Sequence, residues 1–141
     1  MRTGTSIATR ARTRRGQPEF RFHCDVADYL DKALPASCWW TTFPSGGGGK
    51  VRGGKLKAVG LKAGVPDIMI LHRDGTRFQI LWLELKAPNG RLSPAQAVFV
   101  RAMYSFQPSV GFAVCRTLED VEAACVDAEI PMRAHVQARA A

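Results

Sequence analysis

The chain has 141 residues, of which 46% are hydrophobic, with a formal net charge of +8 and a pI near 9.9. This length suits one folded domain with a modest core, and no apolar run approaches the length that spans a bilayer, which argues against a membrane protein. The excess of positive charge favours a polyanionic partner, most simply nucleic acid, although ribosome-associated and membrane-surface proteins share it.

The cysteines and the first residues bear on cellular location. Four widely spaced cysteines include no Cys-x-x-Cys pair, namely Cys24, Cys38, Cys115 and Cys125. Such spacing favours free thiols over a zinc site, and the start of the sequence has no apolar region of the signal-peptide type. We therefore expect a protein of the reducing cytoplasm.

Residues 1–16 are basic and polar. They contain five arginines and no acid, with almost nothing that is large and apolar. This composition predicts a disordered arm. The arm either grips phosphate or has no consequence for function, and the sequence favours neither.

An apolar stripe predicts a first helix from Pro18 to Leu34. Its members recur at helical spacing, and proline suits a first helical turn; they are Phe22, Val26, Tyr29, Leu30 and Ala33. Glu19 lies one heptad before Val26, so it is expected to point with the stripe towards the core. A simpler role for this acid is to complement the helix dipole from the first turn.

A short strand and a glycine-rich segment come next. The aromatic and β-branched residues from Trp39 to Phe43 predict a strand, and the run from Pro44 to Gly49 is typical of irregular structure. Five cations then follow with no acid before Gly64, namely Lys50, Arg52, Lys55, Lys57 and Lys62. These cations are well placed to contact a phosphate backbone, and the alternative is a solvated, mobile loop.

Two apolar runs on either side of Asp74-Gly75 predict a β-hairpin. Pairing the runs about that dipeptide sets Asp67 opposite Trp82 and diagonal to Glu84, on one face of the sheet. Side chains alternate along a strand, so the other face of the second run is nearly all leucine.

The two acids at the end of this hairpin predict a metal site. Converging carboxylates are costly to bury unless a cation compensates them. Mg²⁺, for which Mn²⁺ is expected to substitute, favours one or two carboxylates together with waters and substrate phosphate. Lys86, one pleat beyond Glu84, can then polarise or deprotonate a water at the cation. The alternative is a structural ion pair of Lys86 with Glu84 or Asp67.

A further helix is predicted from Pro94 to about Phe106, with Ser93 as its N-cap. Gln96 stands three residues after Ser93, so it either completes a capping box or serves the neighbouring site. One amide is not expected to fill both roles at once. Arg91, just before this helix, is a candidate phosphate contact.

The apolar run from Val110 to Cys115 predicts a buried strand, and Thr117 caps a last helix through about Val126. Residues 131–141 are expected to fray. The order is then helix, strand, two-stranded hairpin, helix, strand, helix. That order predicts an α/β core over residues 17–130, with a mixed central sheet flanked by helices.

The motifs in this order resemble a known family. Pro66-Asp67 followed by Glu84-Leu85-Lys86 is similar to the signature of the PD-(D/E)XK nuclease superfamily. The flanking Gly64-Val65 and Gly90-x-Leu92-Ser93-x-x-Gln96 resemble its VRR-Nuc branch, the virus-type replication–repair nucleases. The resemblance runs from about Glu19 to the helix after Arg116.

The resemblance implies a restriction-endonuclease-like fold and a Mg²⁺-dependent DNA endonuclease. It implies a set of site residues, with Asp67, Glu84 and the backbone carbonyl of Leu85 as metal ligands and Lys86, Glu19 and Gln96 beside them. Stand-alone members act on branched DNA such as four-way (Holliday) junctions, usually as homodimers. The expected partners are therefore branched DNA and a second copy of the chain, with no small-molecule cofactor.

Three alternatives stay open. The first is the same chemistry on another substrate, as in a nickase or flap nuclease of a phage or mobile element. The second is a catalytically silent DNA-binding module in which Asp67, Glu84 and Lys86 only brace the hairpin. The third is a basic protein-binding domain without a nucleic-acid role.

Overall fold

The structure is a computed structural model that describes residues 7–43 and 49–137, with side chains for 18–43 and 53–137. Its elements in chain order are α1 (Ile7–Ala33), β1 (Cys38–Thr42), α2 (Gly49–Ala58), β2 (Ile68–Asp74), β3 (Arg77–Leu85), α3 (Pro94–Tyr104), β4 (Val110–Cys115) and α4 (Leu118–Asp127). None of the helices within the described ranges is long and apolar enough to cross a membrane.

The four strands form one mixed sheet in the order β1-β2-β3-β4. The pairs β1–β2 and β2–β3 are antiparallel, whereas β3 and β4 run parallel. A parallel pair needs a crossover connection, and α3 supplies it. The predicted α/β class with a mixed sheet and flanking helices is confirmed, and the architecture is compatible with a restriction-endonuclease-like core.

The hairpin forms as predicted, but its register differs. Met69 pairs with Trp82, and the last pair is Asp74 with Arg77, so the two-residue turn is Gly75-Thr76 instead of Asp74-Gly75. Gly75 has a φ of +56°, which suits glycine at the first central position of a hairpin turn. The difference preserves the face that each side chain occupies. Continued by one step, this register sets Asp67 directly opposite Glu84.

The leucine face of β3 is buried as expected. Leu81 is 4% exposed and Leu83 is fully buried, and both belong to a core that α1 and α4 cover. From α1 the core takes Val26 and Leu30, and from α4 it takes Val121. The opposite face of β3 carries Trp82 and Glu84, and there the Phe99 ring of α3 meets Trp82 edge-on at 5.1 Å between centroids.

Three predicted segments differ in the structure. The first helix begins at Ile7 and contains Pro18 in its interior, so residues 7–16 are helical instead of an irregular arm; their alanines and arginines are good helix formers. The expected irregular segment beyond Pro44 gives way to α2 from Gly49, whereas residues 44–48 lie outside the described residues. Residues 131–137, which were expected to fray, contact α1 and α4.

The C-terminal segment is held by hydrogen bonds to α1 and α4. The Arg133 N–H donates to the carbonyl of Ala33 at 2.7 Å, and the Tyr29 hydroxyl donates to the carbonyl of Ala134 at 3.2 Å. Met132 and Val136 pack against the core. These anchors explain why polar composition alone did not reveal an ordered segment.

Candidate active site

Asp67 stands just before β2, where the backbone of β1 holds it. Its carbonyl accepts hydrogen bonds from the Phe43 N–H at 2.8 Å and from the Thr42 hydroxyl at 2.9 Å. The preceding residue, Pro66, is fully buried. On the side chain, Oδ2 accepts from the Leu85 N–H at 2.8 Å. Asp67 is therefore fixed both by β1 and by the end of β3.

Glu84 is the buried acid of the site, with 3% of the residue exposed. Its Oε1 accepts from Lys86 Nζ at 2.9 Å and from the Gln96 amide Nε2. Burial is the main cause that raises the pKa of Glu84; the charge of Asp67 raises it further, while Lys86 and Gln96 lower it. The ionised form is thus penalised by desolvation, and a bound cation would relieve that penalty.

Lys86 follows β3 and is held next to β4. Its backbone N–H donates to the carbonyl of Cys115 at 2.9 Å, which continues the parallel pairing of β3 with β4. Its side chain is 19% exposed, so the ammonium group reaches solvent while it contacts Glu84. The contact fits the predicted bracing ion pair, and it also sets an amine beside the two acids.

Gln96 completes the capping box and also contacts an acid of the candidate site. Its Oε1 accepts from the Ser93 N–H at 2.8 Å, and its backbone N–H donates to the Ser93 hydroxyl at 3.2 Å, which completes a capping box on α3. Its Nε2 meanwhile donates to Glu84. One amide therefore makes both contacts at once, because its two ends have different partners, and a role of Gln96 in the reaction stays a prediction.

Gly64 explains how α3 approaches the acids. A Cβ on Gly64 would lie 2.4 Å from the carbonyl carbon and oxygen of Ala95 and 2.6 Å from the backbone nitrogen of Gln96. Gly64 also has a φ of +82°, a conformation that glycine adopts without steric cost. Only glycine lets the backbone before Asp67 touch the first turn of α3, which brings Gln96 to Glu84.

Two supporting interactions were not found from the sequence. The Arg116 guanidinium donates to the carbonyl of Gly90 at 2.8 Å and so holds the turn that follows Lys86. His23 Nε2 lies 3.0 Å from the Thr42 hydroxyl, which itself bonds the Asp67 carbonyl. Neither contact leaves a pattern in the sequence, since each joins residues from distant elements.

The floor of the site is aromatic. Trp82 precedes Glu84 by one pleat and lies between Phe43, at 5.7 Å between ring centroids, and Phe99. Its indole N–H is buried and is without a hydrogen-bond partner in the part of the chain that the structure describes. This apolar floor lowers the local dielectric and contributes to the desolvation of Glu84.

Glu19 does not join the acids. It is exposed on α1 instead of facing the core, and among the described side chains no group of three His, Cys, Asp or Glu could hold a metal. The inward orientation expected from the heptad spacing is therefore wrong. Glu19 instead lies one turn before His23, on the side of α1 that faces Thr42.

The predicted phosphate contacts lie at the surface where their side chains are described. Lys55, Lys57, Lys62 and Arg91 are exposed, and none of them forms an ion pair within residues 18–43 and 53–137. The side chains of Lys50 and Arg52 lie outside the described residues.

The chemistry of the two acids fits a hard divalent cation. Asp67 Oδ1 and Glu84 Oε2 accept no hydrogen bond from the described residues, so each acid keeps one oxygen for a ligand. Carboxylate oxygens are the donors that Mg²⁺ and Mn²⁺ prefer. Asp67 and Glu84 would hold the ion, with the carbonyl of Leu85 as the third donor that the resemblance implies.

Comparison with known proteins bears on the same stretch of chain. A family model described as VRR-NUC domain matches residues 52–118. The match encloses Gly64, Asp67, Glu84, Lys86 and Gln96. No curated protein and no solved structure matches the chain.

Proposed function

We propose a function from one premise, which is that residues 52–118 belong to the VRR-NUC domain family. The family implies a nuclease-type function with DNA as the substrate. Within it, we assign to this chain the hydrolysis of internal phosphodiester bonds of DNA, dependent on Mg²⁺ or Mn²⁺. The single observation that carries the assignment is the meeting of Asp67, Glu84, Lys86 and Gln96 at one end of the hairpin.

Asp67 and Glu84 would hold the cation, which when bound would supply Lewis-acid stabilisation of negative charge on the phosphate. Asp67 is oriented for this by the Leu85 N–H, and Glu84 by Gln96. Pre-oriented acids need little rearrangement when the ion arrives, which is the usual requirement of a catalytic metal site.

Lys86 supplies the general acid–base and electrostatic function. Its ammonium group lies 2.9 Å from Glu84 Oε1 and also reaches solvent, so it can turn from the acid towards a phosphate at the mouth of the site. There it stabilises the charge that develops on the phosphate during attack by water. Gln96 keeps its Nε2 directed at Glu84 throughout, because the capping box holds the other end of its amide.

Branched DNA, such as a four-way junction, and a homodimeric state complete the proposal, and both rest on the family resemblance. One chain of this size offers one such centre, so cutting two strands of a junction requires two subunits related by a two-fold axis. The exposed lysines of residues 53–62 supply positive charge that attracts the phosphate backbone.

A second candidate is a catalytically silent DNA-binding module. The observation in its favour is the Lys86–Glu84 ion pair, which satisfies the buried acid without a metal. Under this alternative the charged groups stabilise the end of the hairpin, and Lys86→Ala changes stability alone.

The test is a cleavage assay on linear, nicked, flap and four-way DNA. We expect cutting with Mg²⁺ or Mn²⁺, none with EDTA, and a preference for a branched substrate. Lys86→Ala is expected to bind these substrates and fail to cut them. Binding by the native protein without cutting of any substrate under either metal would refute the nuclease assignment and favour the silent module.

A further inference from the structure

α2 is a helix with little support from the rest of the fold. Every side chain described from Gly53 to Gly60 is exposed, and Val59 is 82% exposed. No extensive packing joins α2 to another helix or strand of the described chain. Most helical stability in proteins comes from a packed face, so α2 lacks the usual source of stabilisation.

Two glycines inside α2 have no role in this state of the protein. Gly53 and Gly54 are not at positive φ, and a Cβ on either would meet nothing within 4 Å. Each costs the helix about 1 kcal/mol relative to alanine. Gly60 differs from them, because its φ of +99° ends the helix and the Leu61 N–H donates back to the carbonyl of Leu56 at 3.0 Å.

The helical period divides the lysines between two sides. Lys57 follows Gly53 by four residues and Gly54 by three, so it lies on the side where the glycines leave the backbone bare. Lys55 lies with Val59, four residues later, on the other side. One side of α2 therefore combines bare backbone with a cation, which is the combination that a phosphate backbone needs for close approach.

Charge complementarity identifies the occupant as nucleic acid. No acid occurs between Lys32 and Asp67, a stretch that contains α2 and both lysines. The same stretch continues in sequence to Gly64 and Asp67. An acid-free, basic surface of this kind attracts a polyanion over a distance of about one Debye length, which is about 8 Å at physiological ionic strength.

We infer that α2 is a docking helix for the DNA backbone, with the sugar-phosphate chain lying against the side formed by Gly53, Gly54 and Lys57. The inference rests on the proposed function and specifies which surface guides the strand to the acids. Contact with DNA also supplies the packing that α2 lacks in the free protein. A methyl group at either position would hold the DNA backbone away from the helix.

Replacing the two glycines with alanine tests the inference, because it should stabilise the helix and yet weaken DNA binding. Alanine at both positions favours the helix, so Gly53→Ala with Gly54→Ala should raise helix content and leave the melting temperature unchanged or higher. If DNA lies against the bare side, the same variant should bind a labelled duplex about tenfold more weakly, a loss equivalent to about 1.4 kcal/mol. Because the variant folds at least as well, weaker binding cannot be attributed to misfolding.

DNA binding is measured by fluorescence anisotropy in EDTA at two salt concentrations. Every protein in the comparison is the full chain with Asp67→Asn, so that the DNA stays uncut. Lys57→Gln should weaken binding more than its matched control Lys55→Gln, with a greater loss of salt dependence. The inference would be overturned if the alanine variant bound DNA at least as tightly as its parent. It would also be overturned if Lys57→Gln and Lys55→Gln weakened binding equally. A native chain that binds but never cuts would refute the nuclease proposal and leave this result standing.

Discussion

The Asp67 carboxylate accepts a hydrogen bond from the backbone N–H of Leu85, with 2.8 Å between the two heavy atoms. This bond joins the start of β2 to the end of β3, at the point where Glu84 and Lys86 flank Leu85. It occupies Oδ2 and fixes the carboxylate near Glu84, whose pKa the charge of Asp67 helps to raise. The geometry of the acids is therefore set by the hairpin and precedes the binding of any ion.

Asp67→Asn separates the charge of Asp67 from this hydrogen bond. The asparagine oxygen can accept from the Leu85 N–H, so the free energy of unfolding without metal should change by about 1 kcal/mol or less. Removal of the charge should lower Mn²⁺ affinity by at least about tenfold, since even changes outside the ligand shell cost that much. Isothermal titration with Mn²⁺ and thermal unfolding measure the two effects, and unchanged Mn²⁺ affinity would contradict the assignment of Asp67 as a ligand.

Lys86→Met separates ion binding from catalysis. The methionine keeps most of the apolar stem, but it removes a positive charge 2.9 Å from Glu84 Oε1 that competes with a divalent cation. Mn²⁺ should therefore bind at least as tightly as in the native protein, while cleavage falls about 10²- to 10⁴-fold, as is typical when a general acid or base is lost. Weaker Mn²⁺ binding together with retained cleavage would show that Lys86 serves the ion and not the reaction.

Gly64→Ala tests the close approach between the chain before Asp67 and α3. Its Cβ would lie 2.4 Å from the backbone of Ala95 at a φ of +82°, so the first turn of α3 must move. We expect a loss of stability above about 2 kcal/mol together with loss of cleavage. Gly75→Ala is the matched control, because it also has positive φ but meets nothing within 4 Å, and it should cost only about 1–2 kcal/mol with cleavage retained. Chemical denaturation compares the two, and equal losses would contradict the proposed contact.

Gln96→Glu distinguishes the cap from the site. Glutamate also completes a capping box, so the start of α3 should persist, but its charge would face Glu84 in place of an amide N–H. We expect a destabilised free protein whose melting temperature rises more with Mg²⁺ than that of the native chain. Gln96→Ala keeps the Ser93 cap but loses the side-chain bond to the Ser93 N–H, at a cost of about 1 kcal/mol, and lacks this metal-dependent recovery. A similar response of both variants to Mg²⁺ in thermal shift would refute the contact with Glu84.

Glu122→Gln tests the anchoring of the C-terminal segment through pH. The pKa of Glu122 is lowered mainly by the backbone N–H of Val136, which donates at 2.8 Å, and secondly by the His135 ring. A lowered pKa in the folded state means that the stabilisation is present above the ordinary carboxyl pKa and disappears as pH falls through the lowered value. The variant should thus be less stable than the native chain at neutral pH and equally stable in acid. Denaturation curves across pH check this, and a difference that persists in acid would exclude the carboxylate as its source.

The hairpin and its acids were predictable because their signals are local. Strand alternation set Asp67 and Glu84 on one face, and the structure keeps them there although the pairing is shifted. Ser93 and Thr117 were recognisable as helix caps, and both form the predicted capping boxes. Each of these features depends on residues within a few positions of one another, where steric and hydrogen-bonding preferences act directly.

The sequence was less informative where distant segments decide the outcome. The exposed position of Glu19 depends on how α1 lies against the sheet, which the heptad spacing alone does not determine. The closeness of Gly64 to Ala95 requires the path of α3 across the sheet. The glycines of α2 argued against a helix, and no packed face accompanies them to supply an apolar signal.

The capping of α3 by Gln96 has a consequence for the order in which the chain folds. Asp67, Glu84, Lys86 and Gln96 lie within about 30 residues of one another along the chain, so the contacts among them close short loops and lose little entropy on closure. A nascent chain can thus assemble this constellation from the hairpin and one helical turn, with β4 and α4 docking afterwards against the leucine side. Errors in either terminal region would then reduce the amount of native protein before they altered the arrangement of the acids.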